Sequence, residues 1–239
     1  RKESSAASDV YKRQDGTVLD GVDSMGSTQY TGNDLNITLD TQGHQQTTGT
    51  GILASKDDAL TAGKIDINGR LNIDVVDTTR SGSWSYVHAD KGGEITLNGE
   101  VQMGVNYNDP DATAILAENA DSRVTITPQK VQVVGTIEAR DAAVVDISAI
   151  NQSRIVGGTV TSDDAVNNLS LAEGSAWNMT KSSQLTHLTL DDSTLTFMPG
   201  GAKRLRQTRE ATSFKTLTVN GDYTGANGNI VMNTQLGDD

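Results

Sequence analysis

The run Ile65-x-Ile67-x-Gly69-x-Leu71-x-Ile73 recurs thirty residues later as Ile95-x-Leu97-x-Gly99-x-Val101-x-Met103, each time with Asn before the Gly. Self-similarity at such an interval means that one supersecondary unit is laid against copies of itself, because no single unit can bury its apolar face alone. A third copy follows at Val124-x-Ile126-x-Pro128, with Pro in the Gly position and Val131-x-Val133 closing the unit one residue late. An apolar pair with Ala close by precedes each unit: Ile52 and Leu53 before Ala54, Tyr86 and Val87 before Ala89, Ile115 and Leu116 before Ala117. The third of these pairs lies in Asp111 to Ala120, the one segment with helical character, and its place in the repeat predicts a strand there.

Alternation of period two marks these segments as strands, and Asn, Asp and Gly punctuate them. Farther along, the alternation returns at Leu169-x-Leu171, Leu188-x-Leu190, Leu195-x-Phe197 and Leu217-x-Val219, at offsets of about twenty. Two arrangements suit such strands. An antiparallel sandwich would use Asn68-Gly69 and Asn98-Gly99 as hairpin turns. A parallel β-helix would use them as corners between faces, with coils roughly 4.8 Å apart and aliphatic ladders inside. Two or three strand signals per repeat favour the second, so the predicted fold class is all-β, a parallel β-helix solenoid.

Composition agrees. Aromatic residues make up only 4% of the 239, against 35% hydrophobic in total. A narrow interior built from Val, Ile, Leu, Ala and Thr is therefore expected in the earlier coils, with the larger groups Trp177, Met179, Phe197, Met198, Phe214, Tyr223 and Met232 gathered toward the C-terminus. A net charge of −12 excludes binding to nucleic-acid phosphates through a basic face. No run approaches the roughly 18 apolar residues of a membrane-spanning helix. Without cysteine, thiolate chemistry and disulfides are excluded. Residues 1–14 carry four basic and two acidic groups in an otherwise acidic chain and are set aside as a non-native or disordered tail. Residues 15–185 are assigned to the main coils and 186–239 to the C-terminal coils; any targeting segment is expected upstream of Arg1.

Toward the C-terminus, Gly174-Ser175-Ala176-Trp177-Asn178-Met179-Thr180, Ser183 to Leu190 and Ser193 to Phe197 resemble the last coils of pertactin-like autotransporter passengers. Phe214 to Gly225 and Gly228 to Asp239 are similar to the start of their autochaperone region. The resemblance is close over residues 169–239 and architectural before that. It implies a right-handed parallel β-helix, exported through the outer membrane of a Gram-negative bacterium by a C-terminal β-barrel translocator of the same polypeptide, which is missing here. It implies too a cell-surface or extracellular location, host or bacterial surface ligands, a role in virulence, and C-terminal coils that template folding during secretion. The run Lys203 to Arg209 departs from the family's pattern and is expected to be a solvated loop.

Catalytic motifs are absent from the sequence. His44, His88 and His187 stand far apart without metal-ligand spacing. Gly21-Val22-Asp23-Ser24-Met25-Gly26 has the wrong spacing for a nucleophile elbow and reads as a turn. The pairs Asp57-Asp58, Asp163-Asp164 and Asp191-Asp192 would point to opposite faces of a strand, so turn caps are expected rather than acid/base couples. Thr125/Thr127, Thr159/Thr161, Thr194/Thr196 and Thr216/Thr218 recur too irregularly for an ice-matching lattice and are expected on the strand surface. The chain is thus expected to be no enzyme, with no catalytic, cofactor-binding or metal-binding residues. A stalk or adhesin is the favoured reading; the alternatives are the stalk of an enzyme-bearing passenger and a β-helix polysaccharide-active protein.

Overall fold

The computed structural model describes residues 13–15, 18–25, 29–41, 47–56, 62–162, 164–199 and 214–232, with side chains from residue 31 onward. All regular structure among them is strand. After β1 (Arg13–Asp15), the chain winds through eight coils of three strands each. They are β2 (Val18–Met25), β3 (Gln29–Gly32) and β4 (Leu35–Asp40); β5 (Thr48–Ser55), β6 (Lys64–Ile67) and β7 (Leu71–Val76); β8 (Ser83–Asp90), β9 (Glu94–Leu97) and β10 (Val101–Met103); and β11 (Thr113–Glu118), β12 (Arg123–Gln129) and β13 (Val131–Val134). The remaining four are β14 (Thr136–Ala139), β15 (Val144–Ala149) and β16 (Arg154–Gly157); β17 (Thr159–Thr161), β18 (Val166–Leu171) and β19 (Ala176–Met179); β20 (Ser183–Leu185), β21 (His187–Asp191) and β22 (Thr194–Phe197); and β23 (Leu217–Val219), β24 (Tyr223–Ala226) and β25 (Asn229–Val231).

From β2 onward, and except for the step from β17 to β20, each strand pairs in parallel with the strand three further on, which builds three faces: β2 to β17 by threes, followed by the separate pair β20–β23; β3 to β24; and β4 to β25. This is a parallel β-helix. The hairpin alternative fails because β6 and β7, which flank Asn68-Gly69, belong to different faces. Asn98 Nδ2 donates to Asn68 Oδ1 one coil away at 3.0 Å. A Cβ on Gly99 would lie 1.9 Å from the Gly69 carbonyl oxygen, so backbone from two coils occupies the space a side chain would need. The one antiparallel pair among the described residues, β1 with β2, takes Arg13 and Gln14 from the segment set aside as a tail; residues 1–12 lie outside the described residues.

Interior ladders follow the repeat. Ile65 pairs with Ile95 and Ile95 with Val124, while Ile37, Ile73, Met103, Val133, Ile155, Trp177 and Leu195 form one continuous line on the third face. The Thr113–Glu118 strand falls where the repeat predicted it. Leu53 and Leu116, however, point outward and are half-buried, while their neighbours Ile52 and Ile115 face in. The narrow aliphatic interior expected for the early coils is also corrected: Trp84, Tyr86 and Tyr107 are buried there. Space for Tyr86 comes from Gly104, which has φ of +65° and where a Cβ would stand 2.6 Å from the Tyr86 ring. Burial pushes the Tyr86 phenol well above its ordinary pKa.

Coil length changes along the molecule. Leu71, Val101 and Val131 stand in register at intervals of 30 residues; Gln132, Arg154 and Ala176 at 22; Ala176 and Thr194 at 18. The longer coils hold excursions between faces. In the one after β7, Asp77 accepts the N–H groups of Thr79, Arg80 and Gly82 and the Thr79 hydroxyl. Burial opposes ionisation of Asp77, but these four donors outweigh it and hold the carboxyl below its usual range. Arg80 lies over the Tyr107 ring at 4.9 Å and donates to the Tyr107 carbonyl, tying this excursion to the corresponding one in the next coil.

Candidate functional site

The residue types that would suggest catalysis are dispersed. His88 faces outward from β8 with Nε2 3.0 Å from Glu118 Oε1, and His187 is on β21 of another face; His44 lies outside the described residues. Among the described residues no three His, Asp or Glu side chains form a group able to hold a metal. Asp191 ends β21 and Asp192, with φ of +44°, makes the following turn, so this pair sits at a corner as expected. Asp164 accepts the Ser162 hydroxyl at 3.1 Å, while Asp163 and the pair Asp57-Asp58 lie outside the described residues, as does Lys203 to Arg209. Gly21 to Met25 belongs to strand β2 and not to a turn, because it pairs in parallel with β5.

In the late coils the corners before the third face share a pattern. Asn151-Gln152-Ser153 and Glu173-Gly174-Ser175 each place two residues at positive φ before a buried serine, and Asp191-Asp192-Ser193 repeats the serine with Asp192 at positive φ. Two consecutive left-handed residues reverse the chain within a short corner. Ser153 Oγ accepts the Val131 N–H at 2.7 Å and donates to the Ile150 carbonyl, and Ser175 Oγ accepts the Ser153 N–H and donates to the Ala172 carbonyl. The Ser153 and Ser175 hydroxyls thus close their own turns and grip the coil before, whereas Ser193 Oγ is buried without a hydrogen-bond partner among the described residues. Sequence reasoning missed this ladder, although serine after a polar pair at intervals of 22 and 18 was the visible signal.

A second device sits at residue 183. The first face breaks between β17 and β20, and side chains bridge the gap. Ser183 Oγ accepts the Thr159 N–H at 3.1 Å, and the hydroxyls of Thr159 and Thr161 both donate to the Gln184 carbonyl at 2.8 Å. Thr159 and Thr161 are therefore interior residues, a correction to their expected surface position. Asn167, fully buried, donates through Nδ2 to the Ile137 and Val160 carbonyls, and its N–H bonds the Thr186 hydroxyl. Trp177 fills the adjoining interior and donates from Nε1 to the Gly157 carbonyl at 3.0 Å. Beyond the seam Leu185, Leu188, Leu190 and Leu195 are fully buried, and Leu217 and Val219 pack on them from the last described coil. The large apolar groups expected to gather at this end divide between two environments. Trp177 and Met179 are inside, while Phe214 (60% exposed), Tyr223 (50%) and Met232 (62%) line the outer edge.

The molecule is thus a parallel β-helix whose C-terminal coils continue two faces by backbone pairing and the first face across a side-chain seam. Residues 183–239 match the family model described as Autochaperone Domain Type 1. The match is consistent with the autochaperone region expected at the end of an autotransporter passenger, and it begins at Ser183, the residue whose hydroxyl bridges the broken face. Comparison with curated proteins and with solved structures found no match.

Proposed function

We propose that the chain is part of the passenger of a Gram-negative autotransporter, held at the cell surface as a non-enzymatic stalk or adhesin, whose C-terminal coils template the folding of the others. The single observation that carries this reading is the autochaperone match at residues 183–239 on coils that stack directly beneath the passenger-like coils. In this account the chain is carried through the outer membrane by a β-barrel translocator of its own polypeptide, and its partners outside are surface molecules of a host or of neighbouring bacteria.

The physics of a parallel solenoid supports a template. Every coil must close a loop before any inter-coil contact forms, so starting is slow, while adding a coil to a formed edge gains contacts at once. The test is surface display of the full-length protein carrying Leu217→Asp and Val219→Asp, beside the same pair of changes at Ile65 and Ile67. Display should fall sharply for the first pair and be better retained for the second. Equal loss from both would remove the template role.

A further inference from the structure

The second face carries a groove of about 350 Å³ across β12, β15, β18 and β21. Outward positions two apart on each strand make its walls. Asp146, Asn168 and His187, in register on successive strands, form one wall; Ser148, Ser170 and Thr189 form the other. We propose that this groove binds an uncharged, extended oligosaccharide along the solenoid axis. The proposal deepens the surface-passenger reading and rests on it for the ligand's biological setting.

The electrostatics select the ligand. In a chain of net charge −12 the groove's one carboxylate is already satisfied: Asp146 accepts from Arg123 Nη1 at 2.5 Å and from Asn168 Nδ2 at 2.6 Å. A cation would have to compete with Arg123, and an anion would have to draw Arg123 away. Neutral donors and acceptors remain. Asn168 holds Asp146 through Nδ2 and its Oδ1 is buried, so it shapes the wall and leaves ligand contacts to its neighbours. The N–H of Asp222 donates to His187 Nδ1 at 3.0 Å, so the neutral ring carries its proton on Nε2 and can donate. Three hydroxyls opposite each donate and accept.

Geometry narrows the class further. Successive rungs repeat at about 4.8 Å, close to the length of one pyranose residue, so each sugar of an extended chain would meet one amide, imidazole or carboxylate rung and one hydroxyl rung. A peptide strand is a poor occupant, because the backbone groups of these strands are consumed by the neighbouring coils and leave no edge for main-chain pairing.

The test titrates the purified chain with cellohexaose, chitohexaose and maltohexaose, and separately with polygalacturonate, while the His187 ring resonances are followed by NMR. At least one neutral hexasaccharide should shift them. Ser170→Ala and Thr189→Val should each weaken that binding about fivefold, the size of one lost hydrogen bond, with unchanged far-UV circular dichroism. No shift with any neutral sugar, binding of polygalacturonate alone, or affinity indifferent to both variants would each overturn the proposal. The wild-type titration needs no variant to fold. Because no cell is involved, failure here is distinct from failure of surface display.

Discussion

The coils of β5 to β10 and those of β18 to β22 solve the same closure problem differently. The early coils repeat at 30 residues, carry excursions and hold Trp84, Tyr86 and Tyr107 around the Asp77 and Arg80 contacts. The late coils repeat at 22 and then 18 residues and turn through short corners, those at Ser153 and Ser175 closed by the serine hydroxyls. Shortening a closed loop from 30 to 18 residues saves only about 0.5 kcal/mol of closure entropy. A buried Trp177 is worth about 3–5 kcal/mol against alanine. Loop length therefore contributes little, and because Trp84 and Tyr86 are buried in the early coils as Trp177 is in the late ones, what sets the late coils apart is the linked serine corners at Ser153 and Ser175 and the side-chain seam at Ser183.

The sharpest way to break this comparison is to put charge inside each region. Leu188→Asp with Leu190→Asp places two carboxylates among fully buried leucines, each costing several kcal/mol unless protonated. Refolding of the whole chain, followed by circular dichroism, should fail. Ile95→Asp with Leu97→Asp should unravel coils around the change and leave the C-terminal coils protected from protease. Next in size, Trp177→Ala should lower the stability of the late coils by about 3–5 kcal/mol in denaturant unfolding.

A smaller effect is expected at the early excursion. Asp77→Asn removes an ionised acceptor of four donors and should cost about 1–3 kcal/mol near neutral pH. Because the folded carboxyl titrates below its ordinary value of 3.8, its contribution is present above that value and is lost as pH falls from there through the lower folded one. Thermal unfolding should show the gap between wild type and variant closing as the solution is acidified through that window. Smallest of the series, Thr161→Val at the seam should cost about 1 kcal/mol through the lost bond to Gln184, with no comparable pH dependence.

Much of this architecture is legible in the residues alone. The thirty-residue spacing of Ile65 and Ile95 is the coil register itself, and Asn68-Gly69 and Asn98-Gly99 mark corners because only backbone fits where coils touch there. The aromatic interior is not legible, since room for Tyr86 depends on Gly104, which a linear pattern does not pair with it. Thr159 and Thr161 read as surface because hydroxyls satisfied inside by the Gln184 carbonyl look in sequence like hydroxyls satisfied by water. The C-terminal region that matches the autochaperone model was visible through family resemblance, but the seam at Ser183 was not, because there a side chain stands in for the missing backbone ladder.

Pulse-labelling hydrogen exchange during refolding of the purified chain tests the template most directly, since it reports which amides gain protection first. The account predicts that amides of Val166–Leu171, Ala176–Met179 and His187–Asp191 become protected before those of Lys64–Ile67, Glu94–Leu97 and Val101–Met103. Protection of the early coils first, or of both sets in one phase, would contradict it.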